Sequence, residues 1–196
     1  MIPILILAAG TSSRMRGRDK MLEDVGGVPL LRKQVHMAIG TGHPVFIALG
    51  PQMAQRHDTF RDLDATAITV TQAAEGLSGT LRGAIAQLPQ CEAFMIVLAD
   101  LVALTTKDLQ DVLNARDEQP DCTVWRGATQ DGKPGHPILI DQSLRSSFAA
   151  LQGDHGGDNI LQTLRDKTCL VRLKNQHARY DLDTPEEWAA WRATIS

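Results

Sequence analysis

The sequence has few cysteines, no large excess of either charge and no long apolar run, and each shortage excludes something. Cys91, Cys122 and Cys169 are odd in number and far apart, which fits neither a disulfide framework nor a zinc site and predicts a reducing, cytoplasmic setting. A formal net charge of −3 leaves no broad basic face for nucleic acid, so any anion site must be local. The apolar run that opens the chain is too short for a bilayer, and Met1-Ile2-Pro3 lacks the basic start of a signal peptide. No membrane partner is expected. Internal repeats, low-complexity tracts and Pro/Gly/Ser-rich linkers are absent too, so the 196 residues predict a single domain.

What is present is an alternation of apolar runs and amphipathic segments. Ile4 to Ala9, Val45 to Leu49, Ala67 to Val70 and Phe94 to Ala99 read as strands buried on both faces. Pro29 followed by Leu30, Leu31, Val35, Ala38 and Ile39 has helical spacing, with Gly40 placed to stop it. Leu81 to Leu88 reads as another helix. Thr105 and Asp108 stand at capping-box spacing before a helix carrying Leu109, Val112 and Leu113. Thr184, Pro185 and Glu187 repeat that signal before Trp188 and Trp191. Val124 to Arg126 and Pro137 to Ile140 predict further strands around a Gly-rich turn or flap, "GATQDGKPGHP". The pattern predicts an α/β fold of three layers, Rossmann-like, with a mainly parallel sheet and a ligand crevice at the carboxyl ends of its strands.

The first strand runs directly into "GTSSRMRGRDK". Small residues there allow backbone N–H groups to converge on an anion, and Arg14 and Lys20 can add charge. It is not a Walker loop, since six residues separate Gly10 from Gly17 and Met21 follows Lys20. G-x-G-x-x-G is absent as well.

"LAAGTSSRMRGRDKML" resembles the signature of nucleotidyltransferases of the molybdenum cofactor type. The resemblance continues, in the family's order, through "GLSGTL", "LADLVALT", "GHPILI", "LQGDHGG" and "DLDTPEEW". It implies attack by an acceptor phosphate oxygen on the α-phosphate of a nucleoside triphosphate, with pyrophosphate leaving. That nucleophile is already anionic, so the site has to align two anions and stabilise charge in transit rather than supply a base. By resemblance, the catalytic residues are Lys20, Arg14 and Asp100, and Asp100 and Asp183 hold magnesium. The nucleotide lies against Leu7, Ala8, Ala9, Gly10, Ser12, Ser13, Arg14 and Lys20, and against Ser78, Gly79 and Thr80. His136 and Asp154 contact the acceptor.

Read from spacing alone, without the resemblance, Asp100 and Asp183 are better explained as caps of a turn and a helix, and His136 and Asp154 as structural residues. The resemblance also implies CTP rather than GTP, because Leu-Ala-Ala-Gly, with Ala9, is the form that accompanies CTP in the family. Molybdopterin or a similar phosphorylated small molecule is the implied acceptor, and a molybdoenzyme a possible protein partner. Three departures bear on the acceptor: Leu101-Val102 stands where the family has Met-Pro, Arg16 stands for a glycine, and Asp158 stands for an arginine, reversing a charge. Three other readings share some features: the cytidylyltransferase of isoprenoid precursor synthesis (2-C-methyl-D-erythritol 4-phosphate), a sugar-phosphate nucleotidyltransferase, and a non-catalytic nucleotide-binding chaperone of a molybdoenzyme.

Overall fold

The computed structural model describes residues 1–151 and 157–195. In chain order its elements are β1 (Ile4–Leu7), β2 (Asp24–Val25), β3 (Val28–Pro29), α1 (Leu30–Ile39), β4 (Val45–Leu49), α2 (Ala54–Asp58), β5 (Thr66–Thr69), α3 (Leu77–Gln87), β6 (Ala93–Leu98), α4 (Thr106–Glu118), β7 (Val124–Ala128), β8 (Pro134–Asp141), α5 (Arg145–Ala149), α6 (Asp158–Thr163), β9 (Thr168–Arg172) and α7 (Pro185–Ile195). Seven strands form one sheet in the order β5-β4-β1-β6-β8-β7-β9, and β2 pairs β3 in a small separate ribbon. β8 alone runs against its neighbours β6 and β7; the other pairings in the sheet are parallel.

The reversal at β8 follows from a short connection. Thr129 and Lys133 close a tight turn through Thr129 N to Lys133 O (2.9 Å) and Lys133 N to Thr129 Oγ1 (3.0 Å), with Gly132 at φ 88°. A parallel return would have required a crossover. The Gly-rich segment is therefore mostly strand, and only its tip is the expected turn. Strand β9 and the β2–β3 ribbon had no clear signal in the sequence. Strand β1 ends at Leu7 rather than Ala9, and α3 begins at Leu77, four residues before the apolar run that announces it.

Strict alternation along the central strands builds a core on each face. Ile4 and Ile6 point with Met95 and Val97 toward α1, α4 and α7, whereas Leu5 and Leu7 point with Phe94 and Ile96 toward α3, α5 and α6. The expected three layers result. Helix α4 starts with the expected capping box between Thr105 and Asp108. At α7, Glu187 Oε2 accepts from Asp183 N (2.7 Å) and Thr184 N (2.9 Å), and Glu187 N donates to Thr184 Oγ1 (3.3 Å). Trp188, with no exposed surface, locks that helix to the sheet and meets Trp191 edge to face at 5.7 Å. No helix among the described residues is long and apolar enough to cross a membrane.

Candidate active site

Beyond β1 the chain stays buried through Ala8 and Ala9 and then opens into a loop. A side-chain carbon at Gly10 would meet nothing within 4 Å, so this glycine faces open space. Ser12 and Arg16 both take left-handed backbone, at φ 52°, and Gly17 follows at φ 85°. Arg16 thus adopts a conformation that glycine reaches without strain. Asp19 then caps a short 3-10 turn, accepting from Met21 N at 2.9 Å, and that turn carries Lys20 inward.

Lys20 Nζ donates to Asp100 Oδ2 at 2.6 Å and to Asp183 Oδ1 at 3.0 Å, and Arg14 Nη1 meets Asp183 Oδ2 at 2.6 Å. Asp100 follows the end of β6, and Asp183 stands just before α7. An isolated antiparallel bridge between Leu101 and Asp181 brings the two segments side by side. Asp181 thereby joins them, and oxygens of Asp100, Asp181 and Asp183 lie within 4.8 Å of one another.

The carboxylates and the amine adjust to this crowding. Burial raises the Asp181 pKa, and the charges of Asp183 and Asp100 push it the same way. Burial alone would raise Asp183 too, but Lys20 and Arg14 outweigh it and hold that carboxyl below its ordinary value. For Lys20, burial is outweighed by the two carboxylates, so its pKa lies above the usual lysine value. Asp100 Oδ1 is buried without a hydrogen-bond partner among the described residues. Three carboxylates with oxygens at this spacing, beside an unsatisfied Asp100 Oδ1, suit a small divalent cation.

Two chambers meet at this cluster. The first, about 370 Å³, is lined by Leu7, Ala8, Ala9, Gly10, Ser12, Ser13, Arg14, Lys20, Thr80, Asp100 and Asp183, all anticipated from the sequence, and also by Arg56. Ser78 and Gly79 sit in the first turn of α3 and do not line it. A side-chain carbon at Gly79 would come within 2.2 Å of the Gln72 carbonyl, so close packing accounts for that glycine. The second chamber, about 400 Å³, shares Leu7, Leu77 and Leu98 with the first and is lined by Arg126, His136, Asp158, Arg179 and Asp181 over an apolar floor. Burial, with Arg126 nearby, lowers the His136 pKa to about 3, so the imidazole is neutral at physiological pH. Asp154 lies outside the described residues.

Sequence reasoning missed Asp181, Arg56, Asp19, Arg126 and Arg179. Asp181 had a signal in its two-residue spacing from Asp183, which became informative once the segment was seen to pair with Leu101. The arginines had none. Each comes from a segment remote from the residues it serves.

The sequence matches the family model described as MobA-like NTP transferase domain over residues 4–168. No curated protein matches it. Among solved structures, the Rv0371c homologue from Mycobacterium sp. strain JC1 superposes with a TM-score of 0.84 at 21% identity, covering 99% of this chain and 96% of that one. Rv0371c of Mycobacterium tuberculosis H37Rv in complex with manganese gives 0.78 at 20% identity, covering 96% of each chain. CMP:2-keto-3-deoxy-manno-octonic acid synthetase complexed with CTP gives 0.77 at 15% identity, covering 100% of this chain and 98% of that one. At such identities these likenesses speak for the fold, whose crevice is where the loop, the lysine and the acidic cluster have been found. The family match covers most of the chain, from β1 to the start of β9, and on it the chain belongs to the MobA-like NTP transferase family.

Proposed function

We propose that this nucleotidyltransferase domain transfers CMP from CTP to the phosphate of molybdopterin, or of a small phosphorylated acceptor of similar build, with release of pyrophosphate. The observation that carries the reading is the meeting of two chambers at one carboxylate cluster, two members of which, Asp100 and Asp183, are paired with a lysine and an arginine. The first chamber takes the triphosphate on the loop after β1. The second takes the acceptor, with Arg126 as anion contact and the neutral His136 as a hydrogen-bonding partner.

In the transfer, the acceptor phosphate oxygen forms a bond to the α-phosphorus while the bond from that phosphorus to the bridging β-oxygen breaks. Lys20 and Arg14 are placed to turn from Asp100 and Asp183 toward the phosphate oxygens, where they hold the triphosphate and stabilise charge passing to pyrophosphate. Asp100 and Asp183, with Asp181 beside them, are the residues that would hold magnesium. When bound, magnesium would act as a Lewis acid and screen the two anions from one another. The manganese in a fold neighbour supports a divalent ion here.

CTP is favoured over GTP on two grounds. A fold neighbour was solved with CTP, and the Ala9 methyl group, buried at the chamber wall, occupies room a purine edge would need. A cytoplasmic enzyme handing its product to a molybdoenzyme fits the reducing setting inferred from the cysteines.

The test is to incubate the protein with labelled CTP, magnesium and molybdopterin and to follow pyrophosphate and the CMP-bearing product. Release of pyrophosphate that depends on both metal and acceptor is the expected result. Tight nucleotide binding with no pyrophosphate under any acceptor would favour a carrier module instead.

A further inference from the structure

Arg56 lies on the short helix α2, buried to 4% exposure, and its guanidinium reaches the nucleotide loop at both ends. Nη1 donates to the Ala8 carbonyl at 2.5 Å, where the loop leaves the sheet. Nε and Nη2 donate to the two oxygens of Asp19, at 2.7 and 2.8 Å, where the loop returns. Between these ends Nη2 also faces Ser12 Oγ at 3.4 Å, and Nη1 faces Met53 Sδ at 3.5 Å. All five guanidinium N–H groups are thus engaged, none of them by a group outside the protein.

The contacts lead to Lys20 by two routes. Asp19 precedes Lys20 and caps the turn that carries it, and Ser12 Oγ, itself facing Arg56 and Asp19, accepts from Lys20 N at 3.2 Å. The guanidinium never touches the Lys20 side chain in this arrangement. Two parallel bonds to one carboxylate and a third to a carbonyl at the opposite end require a planar fork, which lysine cannot reproduce.

We propose that Arg56 is a positioning residue for nucleotidyl transfer: it clasps the loop from Ala8 to Asp19 into the shape that receives the triphosphate and sets where Lys20 enters the chamber. The inference rests on the proposed nucleotidyl transfer for its consequence, though not for the clasp itself. Although Arg56 contributes to the chamber wall, its N–H groups are already occupied, so its effect passes through the loop.

The test uses Arg56→Lys and, because that change strands a partly buried carboxylate, Asp19→Asn, which keeps the volume and weakens the clasp from the other side. Arg14, Arg16, Arg18 and Lys20 make the loop a ready trypsin substrate, so nicking between residues 14 and 20 in folded, ligand-free protein reports its order. Nicking is expected to rise about tenfold in both variants, with the melting temperature changed by only a few degrees. Binding of CTP with magnesium, followed by calorimetry, is expected to weaken by roughly ten- to a hundredfold in Arg56→Lys. The effect of Lys20→Ala should shrink about tenfold in the Arg56→Lys background, a coupling that a residue serving only stability would not produce without contact. Nicking at the wild-type rate, or strict additivity with Lys20→Ala, overturns the clasp. Faster nicking in the variants, with no binding of CTP, GTP, UTP or ATP to the wild type, instead overturns the nucleotidyl-transfer reading and with it the role given to Arg56.

Discussion

The two chambers are built on opposite principles. In the first, cations and carboxylates are already matched: Lys20 bridges Asp100 and Asp183, Arg14 meets Asp183, and Arg56 meets Asp19. In the second, the hydrogen bonds of the cations among the described residues go to backbone, from Arg126 to Gly135 O at 2.8 Å and from Arg179 to Pro134 O at 3.2 Å. Neither has a carboxylate within 4.0 Å among the described residues, although Asp158 is near enough to act on Arg126 through space. Leu81, Ile96, Ile138, Ile140, Phe148 and Leu161 supply the floor. A chamber with matched charges can exchange internal counter-ions for those of a triphosphate and its metal, and so need not leave an unpaired buried charge between turnovers. Guanidinium groups that have no carboxylate partner among the described residues, set over an apolar floor, instead suit a molecule with an anionic end and a flat or apolar body.

The comparison fails first if the carboxylates are dispensable. Asp100→Asn and Asp183→Asn, which keep volume and remove charge, are each expected to lower turnover at least about a hundredfold while the protein stays folded. Near-normal rates in a folded variant would remove that residue from the metal site. A smaller effect is expected across the shared wall. Arg126→Ala should raise the acceptor KM by roughly ten- to a hundredfold, as for loss of a charge-assisted hydrogen bond, and leave CTP affinity unaltered. Equal losses toward both substrates would show that the chambers do not divide them.

Base choice should move less. It rests on one methyl group, so Ala9→Gly is expected to raise the ratio of GTP to CTP kcat/KM by several-fold, with roughly ten- to two-hundredfold as the ceiling for discrimination by a group of that size. An unchanged ratio would send the search for base recognition to the α3 entrance near Thr80. The smallest effect concerns Asp181, the carboxylate of the cluster that lines the second chamber. Its pKa is raised above 3.8 in the folded state, so the folded protein binds more protons than the unfolded chain in that window, and stability falls as pH rises through it. At neutral pH in a chelator, Asp181→Asn should therefore raise the melting temperature by roughly one to three degrees. A lower melting temperature would mean that Asp181 is stabilising as an anion without metal.

What could be read from the sequence divides along the same line. The nucleotide loop is one stretch following one strand, so its small residues, Arg14 and Lys20 were visible together, and the β-α alternation revealed the parallel half of the sheet with both capping boxes. The second chamber joins β6, β8, α3, α5 and α6 with arginines from β7 and from the segment between β9 and α7. No window of sequence holds those residues together. His136 was found through the "GHP" motif, whereas Arg126 sits in an apolar strand with nothing to mark it. Arg56 was hidden for a related reason, since a lone arginine on a short helix reads as a solvated side chain until its five N–H groups are traced.

The bridge between Leu101 and Asp181 works as a caliper. One arm carries Asp100, the neighbour of Leu101, and the other carries Asp181 and, two residues on, Asp183. The gap between the jaws is therefore measured by main-chain pairing and depends little on which side chains surround it. Under the proposed transfer, substitutions in either chamber would change which molecules enter while the span at which the two reactants meet stays the same, so a scaffold of this kind could acquire a new acceptor without having to relearn how to make the bond.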